Sequence, residues 1–391
     1  MAIQIVQTPA TCSLAQSPMA FTVIESDSTL IGKLGFQYIC NLAYWTGSVS
    51  DSGSAYDYVL AKYPNFSLYG IFDVSRIVNS TLTDLAQVNT SNVMYYKCDF
   101  YYQYQTGSLY VTGSTVGSGI FKALDGYAIF QEPIGQAINE KTPHWPLMTD
   151  GPATQSAFIT NKGITGVYVG QSNSGSLPTR LQYTSDAPQT AYIQLSGSTS
   201  SSQQIQTYPI GATESGFPLS GSFTYYTIQA QSGSTNLGQP ITYEITCEQK
   251  YPNIRIKWKN RFGQFDWFNF NMVNRQSFST TRKTYQPQLG SWTGTSLGYN
   301  NYDSSTLNYI SDSSQAISVN TDWVDEAYNE IFKQLLVSDE IYWIYDEGTN
   351  PVELRPITIL TDSITFKTGV VDKVIQYQFD FNWGQAYKLI I

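Results

Sequence analysis

Gly294-Thr295-Ser296-Leu297-Gly298 spells G-x-S-x-G, the turn that raises a nucleophilic serine in α/β-hydrolases. That chemistry needs a strand, a sharp turn and a helix, then an acid and a histidine further along the chain. Here YNNYDSSTLNY follows, which has no helical pattern, and the one histidine, His144, lies upstream between Pro143 and Pro146. A five-residue match is cheap in a chain rich in Gly and Ser, so no serine hydrolase is expected. His144 is expected to be a loop histidine packing on Trp145. With one His and scattered cysteines, no zinc or transition-metal site is expected. GQAINEKT lacks the second glycine of a Walker A loop, and GSTVGSG is not a dinucleotide-binding turn. No residue pair is nominated for glycoside hydrolysis. The chain is therefore read as a non-enzyme with no cofactor.

KWKNRFGQFDWFNF (Lys257–Phe270) poses a different question, because cations alternate with apolar residues and aromatics crowd around a turn. RFGQFDWF is similar to the RNA-recognition signature K/R-G-F/Y-G/A-F-V-x-F/Y, whose strand aromatics stack on bases. Phe262 takes the second position, Gln264 the fourth, and Asp266 replaces the aliphatic residue with a carboxylate. No upstream βα unit supplies the partner strand, so no nucleic-acid partner is expected. Asn260–Gly263 instead makes a turn in which Gly263 can take positive φ, between two aromatic strands.

The elements that carry these residues follow from composition. In 391 residues, 41% are hydrophobic and only 13% charged, with 30 Tyr and 29 Gly. That set favours strands and turns over helices and suits surfaces that meet other proteins. A chain this long exceeds one hydrophobic core, so several domains are expected. The net charge of -9 opposes a polyanion as partner. Charge is uneven, however: Lys250, Arg255, Lys257, Lys259, Arg261, Arg275, Arg282 and Lys283 face only Asp266 in their stretch, while the region after Asp322 is acidic. MAIQIVQTPATC lacks a secretory pattern, and no apolar run is long enough to insert into a membrane. Cys12, Cys40, Cys98 and Cys247 have no C-x-x-C spacing, so buried reduced thiols are expected.

The fold expected is mainly β and multi-domain. Residues 1–131 read as a β-sandwich of immunoglobulin or fibronectin type, with Met19, Phe21 and Val23 on one face of their strand. Phe36, Tyr38, Cys40, Leu42 and Tyr44 share a face in the next, and Tyr96, Cys98, Phe100, Tyr102 and Tyr104 in another. DVSRIVNSTL suggests one short helical turn. The Pro-rich 132–152 segment reads as a linker. Residues 153–250 read as a middle β domain with flexible loops LSGSTSSSQQ and QSGSTNLG. Residues 251–391 read as an α+β domain with a hairpin over 254–270 and a helix over 322–337, capped by Thr321 or Asp322, packed on an antiparallel sheet. In the hairpin, Ile254, Ile256 and Trp258 are expected inward, and Arg255, Lys257 and Lys259 outward.

NRFGQFDWFNF resembles an N-R-F-G-x-x-D-x-F-x-F stretch in virion proteins of tailed bacteriophages, especially of Bacteroidetes-phage type. YPNFSLYGIFDVSRIV (Tyr63–Val78), PLMTDGP (Pro146–Pro152) and SDEIYWI…FKTG…IQYQFDFNWGQAY resemble the same group. The resemblance implies a structural component of the tail, baseplate or neck, without enzymatic activity. It implies synthesis in the host cytoplasm, and copies of the chain and other tail or neck proteins as partners. It also implies an architectural role for Arg261, Phe262, Gly263 and Asp266. Long helices for a tape measure or portal are missing from the sequence pattern, as are fibre repeats, which leaves a ring. The charge asymmetry predicts that Lys257, Lys259 and Arg261 meet Asp325, Glu326 and Glu330 of another subunit or domain. The alternative expectation is a host-receptor module whose exposed Tyr and Trp bind a surface glycan.

Overall fold

The computed structural model describes residues 3–46, 56–86, 93–130, 132, 138, 142–170, 176–195, 205–246, 251–346, 348, 352–366 and 375–385. Cys247 and most of the LSGSTSSSQQ loop lie outside them. The protein is mainly β and divides into two compact units. The first is Met1–Cys247 with Lys259–Asp266 and Glu330–Leu335; the second is Glu248–Trp258, Trp267–Asn329 and Leu336–Ile391.

In the first unit, period-two alternation builds a sandwich as expected. One sheet runs in the order Cys12–Leu14, Val116–Leu124, Met94–Thr106, Gln37–Trp45, Tyr58–Lys62. A three-stranded sheet of Gln4–Gln7, Ala20–Ile24 and Gly70–Asp73 shares its core. Phe21 and Phe72 of the small sheet meet Phe100 of the large one at ring distances of 5.4 and 5.6 Å. The helix Ser75–Ala86 is longer than the single turn expected and adds Val78 and Leu82 to this core. Its start is held by Asp73, whose carboxylate accepts from the backbone N–H of Ser75 and of Met19.

The same unit contains a five-stranded sheet in the order Thr154–Ala157, Thr235–Ile245, Tyr225–Ser232, Arg180–Ser185, Thr190–Gln194. QSGSTNLG is a tight hairpin there, not a loose loop, because Ser232 pairs with Thr235 and Gly233 takes φ 61°. Nor is 132–152 a linker. Among its described residues, Ile138 and Met148 enter a core with Leu14, Leu124, Tyr168, Ile205 and Phe262 of the same unit.

The second unit is built on a seven-stranded antiparallel sheet in the order Phe265–Phe270, Ile254–Lys259, Ile341–Asp346, Glu353–Ile359, Gln378–Trp383, Leu307–Asn320, Arg275–Tyr285. Ile254, Ile256 and Trp258 are buried as expected, but Arg255 is buried too, its guanidinium 5.3 Å from the Trp267 ring centre. The helix begins later than 322. Thr321 and Val324 are tied into extended backbone by hydrogen bonds with Tyr377 and Ile375, so Asp325 becomes the cap, accepting from Ala327 N–H. A 3-10 turn Glu326–Tyr328 then leads into the helix Asn329–Val337. Tyr328 packs on Phe268, and Asn329 accepts from the Tyr377 hydroxyl, which ties the helix start to its sheet.

Candidate functional site

The hairpin tip Lys259–Asp266 holds Lys259 and Arg261, two of the six charged residues to which the sequence pointed. Asn260 closes the turn twice over. Its backbone N–H donates to Gln264 O at 2.7 Å, and its side-chain oxygen accepts from the N–H of Phe262 and of Gln264, each at 3.0 Å. Gly263 has φ 73°, and a Cβ there would fall on the carbonyl oxygen of Asp125. The tip backbone thus has room for glycine alone at this position.

Arg261 is 4% exposed and fully engaged. Its Nε and Nη2 donate to the two oxygens of Asp150, a bidentate fork, and Nη1 donates to Glu132 at 2.6 Å. Its backbone N–H donates to Gln334 Oε1 at 3.1 Å, while Gln334 Nε2 donates to Asp150 at 2.8 Å. The Arg261 carbonyl accepts from Tyr127 N–H at 2.9 Å. Burial alone would lower the arginine's proton affinity, but its hydrogen bonds to Asp150 and Glu132 and their charges outweigh that and hold it above its usual value. Burial raises the Asp150 carboxyl, Arg261 and Gln334 pull it back, and the charge of Glu330 adds to the rise.

Lys259 pairs with Asp125 at 2.6 Å. The acids joined to Lys259 and Arg261 are therefore Asp125, Glu132 and Asp150, where the charge pattern predicted Asp325, Glu326 and Glu330. Asp325 caps the 3-10 turn, Glu326 is exposed, and Glu330 pairs with Lys333 at 3.2 Å. Lys257 points neither freely outward nor at those acids. Its ammonium lies 5.4 Å from the Tyr342 ring centre, and burial lowers its pKa. Sequence reasoning missed Asp125, Glu132, Asp150 and Gln334. One signal did exist: PLMTDGP and NRFGQFDWFNF were singled out separately, and they are the two halves of this cluster. Asn260 Nδ2 donates to Met148 O at 2.9 Å, and Asp150 holds Arg261.

Asp266 completes the cluster. Burial pushes its carboxyl up to about 7, with the Asp150 charge adding to the rise, while hydrogen bonds to Thr149 and Asn260 oppose it. A carboxyl raised on folding stabilises the fold fully below its unfolded value and loses that contribution as pH climbs through the folded one. Between pH 5 and 8 the wild-type melting temperature should therefore fall more steeply than that of Asp266→Asn. Parallel slopes in a pH series of thermal melts would contradict this.

Phe262, Phe268 and Phe270 are buried, so none of them offers a face to a base. His144 is buried, with Nδ1 3.1 Å from Gln239 O and Nε2 2.9 Å from Gly151 O, while its neighbour Trp145 packs on Tyr168. Ser296 lies in a turn between the short strands Ser291–Trp292 and Leu297–Gly298, its carbonyl accepting from Thr293 N–H at 2.9 Å. The next element is the strand Leu307–Asn320, so no strand–turn–helix frames this serine. Cys12, Cys40 and Cys98 are buried free thiols, and burial raises Cys12 to about 11. Among the described residues no group of three or more His, Cys, Asp or Glu is placed to hold a metal ion. Among them, too, no helix is long and apolar enough to cross a membrane. The tip Lys259–Asp266 is joined to Asp125, Glu132 and Asp150 of its own unit through charge-assisted hydrogen bonds.

No family model matches the chain. No curated protein matches it either.

Proposed function

We propose that this chain is a structural subunit of a tailed-phage particle that assembles into a ring of the tail, baseplate or neck. It acts by docking on copies of itself and on other tail or neck proteins, not by catalysis, and its place of work is the virion. The observation that carries this is an exterior poor in charge and rich in exposed rings. Phe66, Phe130, Trp292, Tyr299, Tyr302 and Trp323 range from 62% to 110% exposed. Assembly interfaces concentrate aromatic rings of this kind. The locked tip supports the architectural role that the N-R-F-G resemblance implies for Arg261 and Gly263. The native mass of the purified protein across a concentration series tests the proposal. A closed ring of defined copy number is expected, and a monomer at every concentration would count against it.

A second reading, a module that binds host-surface glycan, draws on Trp292, Tyr299 and Tyr302, which sit close together in sequence and stand exposed. Glycan-array binding abolished by Trp292→Ala would favour it.

A further inference from the structure

We infer that His144 is held as an imidazolium and acts as a pH-sensitive latch, its extra proton fastening the Pro-rich segment 142–152 to the hairpin of Tyr225–Ser232 and Thr235–Ile245. His144 is the chain's only histidine and is 2% exposed. Its Nδ1 lies 3.1 Å from Gln239 O, and its Nε2 lies 2.9 Å from Gly151 O. A backbone carbonyl oxygen can only accept, so each contact needs a proton on the ring nitrogen. A neutral imidazole has one such proton. Either neutral tautomer would press a nitrogen lone pair against a carbonyl oxygen, at distances that leave no room for a bridging water. A ring with both protons satisfies both carbonyls and makes both contacts charge-assisted.

The ring closes a seam between hairpin and segment. Gln239 N–H donates to Pro143 O at 2.8 Å, and Gly238 takes φ 63° where a Cβ would fall on the Trp145 carbonyl oxygen. The two pieces thus meet backbone to backbone. Within the segment, Thr142 Oγ1 donates to Thr149 O at 2.8 Å and accepts from His144 N–H at 3.2 Å. Thr149 Oγ1 accepts from Gly151 N–H at 2.9 Å, which fixes the carbonyl that faces Nε2. None of these other bonds involves a titratable group, so His144 is the member of the seam whose strength depends on pH.

The charged groups on the elements around the segment are Asp150 and Glu132, both joined to Arg261, and Asp266, which meets Thr149. Strand Thr235–Ile245 brings Glu244, five residues past Gln239, and Tyr168 packs on Trp145. Loss of the ring's extra proton leaves Gln239 O or Gly151 O facing a lone pair. The seam then opens at Gln239, while the Asp150–Arg261 fork still holds the far end of the segment. A ring charged in the fold contributes fully at acid pH, and that contribution disappears as pH rises.

Nitrogen-15 NMR of the imidazole, on the full chain without an added histidine tag, tests the latch, since one histidine gives one ring to assign. Amide hydrogen exchange across a pH series, corrected for the intrinsic exchange rate at each pH, reports the seam. At about pH 7.5, where a free imidazole is mostly neutral, both ring nitrogens of His144 should still carry a proton. As pH rises further and the ring loses one, the amides of Gln239 and Leu147 should lose protection by about tenfold per pH unit, the slope of one linked proton. The amide of Phe100, in the sandwich core, should not follow. His144→Gln, which has no proton to lose, should flatten the response at Gln239. Asp266→Asn, which removes the carboxyl pushed up to about 7, should leave that response in place. A ring that is neutral at about pH 7.5 overturns the latch. So does a ring that loses its proton without change at Gln239 and Leu147, or a response that vanishes in Asp266→Asn. If His144→Gln does not fold, the wild-type ring signals and exchange rates decide alone.

Discussion

Arg261→Ala should destabilise the first unit by about 3–5 kcal/mol, the cost of removing one partner from a buried ion pair. The guanidinium is the shared partner of Asp150, whose side chain is 7% exposed, and Glu132, at 17%. Truncating it leaves two carboxylates facing each other in a site that already raises the Asp150 carboxyl, and strands the Gln334 amide between them. Arg261→Lys should recover only part of the loss, since an ammonium cannot span Asp150 bidentately and reach Glu132 at the same time. The informative partner is Arg261→Met combined with Asp150→Leu. Replacing both ends of a buried pair with apolar groups is often far milder than removing one. Urea unfolding of the wild type, Arg261→Met, Asp150→Leu and the double variant gives the coupling directly as a double-mutant cycle. A loss below about 1 kcal/mol for Arg261→Ala would mean that water reaches the cluster and that the tip is not the lock described here.

Phe100→Ala should cost a similar amount, about 3–5 kcal/mol, for a different reason. Phe100 is fully buried at the centre of the thirteen-residue strand Met94–Thr106. It touches Phe21 and Phe72 from the opposite sheet, so it is a main joint between the two layers of the sandwich. Its loss removes the transfer energy of a large ring and leaves a cavity that strands on both sides cannot collapse to fill. Phe100→Leu, which keeps most of the volume, should cost much less, roughly 1.5 kcal/mol. Tyr110→Ala, at a 65% exposed residue on a neighbouring strand, should stay within about 0.5 kcal/mol. Thermal melts that rank the three variants in another order would show that the ring contacts are not what joins the sheets.

The amino-acid sequence by itself determined the β architecture and most of its inward faces. Side chains alternate across a strand with period two whatever the partner strand is, so Phe21, Cys40 and Phe100 could be placed inside from their neighbours alone. The Asn260–Gly263 turn was legible for the same reason, because an Asx side chain and a positive-φ glycine act within four residues. Tertiary structure alone decided which charges meet. Arg261 and Asp150 lie 111 residues apart. Charge balance along the chain says how many acids and bases there are, but an ion pair forms only within a few ångströms, and that distance is set by how sheets and loops pack. The same holds for Arg255: alternation put it outward, yet a strand whose two faces are both covered has no outward side, and its guanidinium found Trp267. The helix start moved from Asp322 to Asp325 because Thr321 and Val324 spend their backbone groups on Tyr377 and Ile375. Those bonds join residues more than fifty positions apart, and no local pattern announces them.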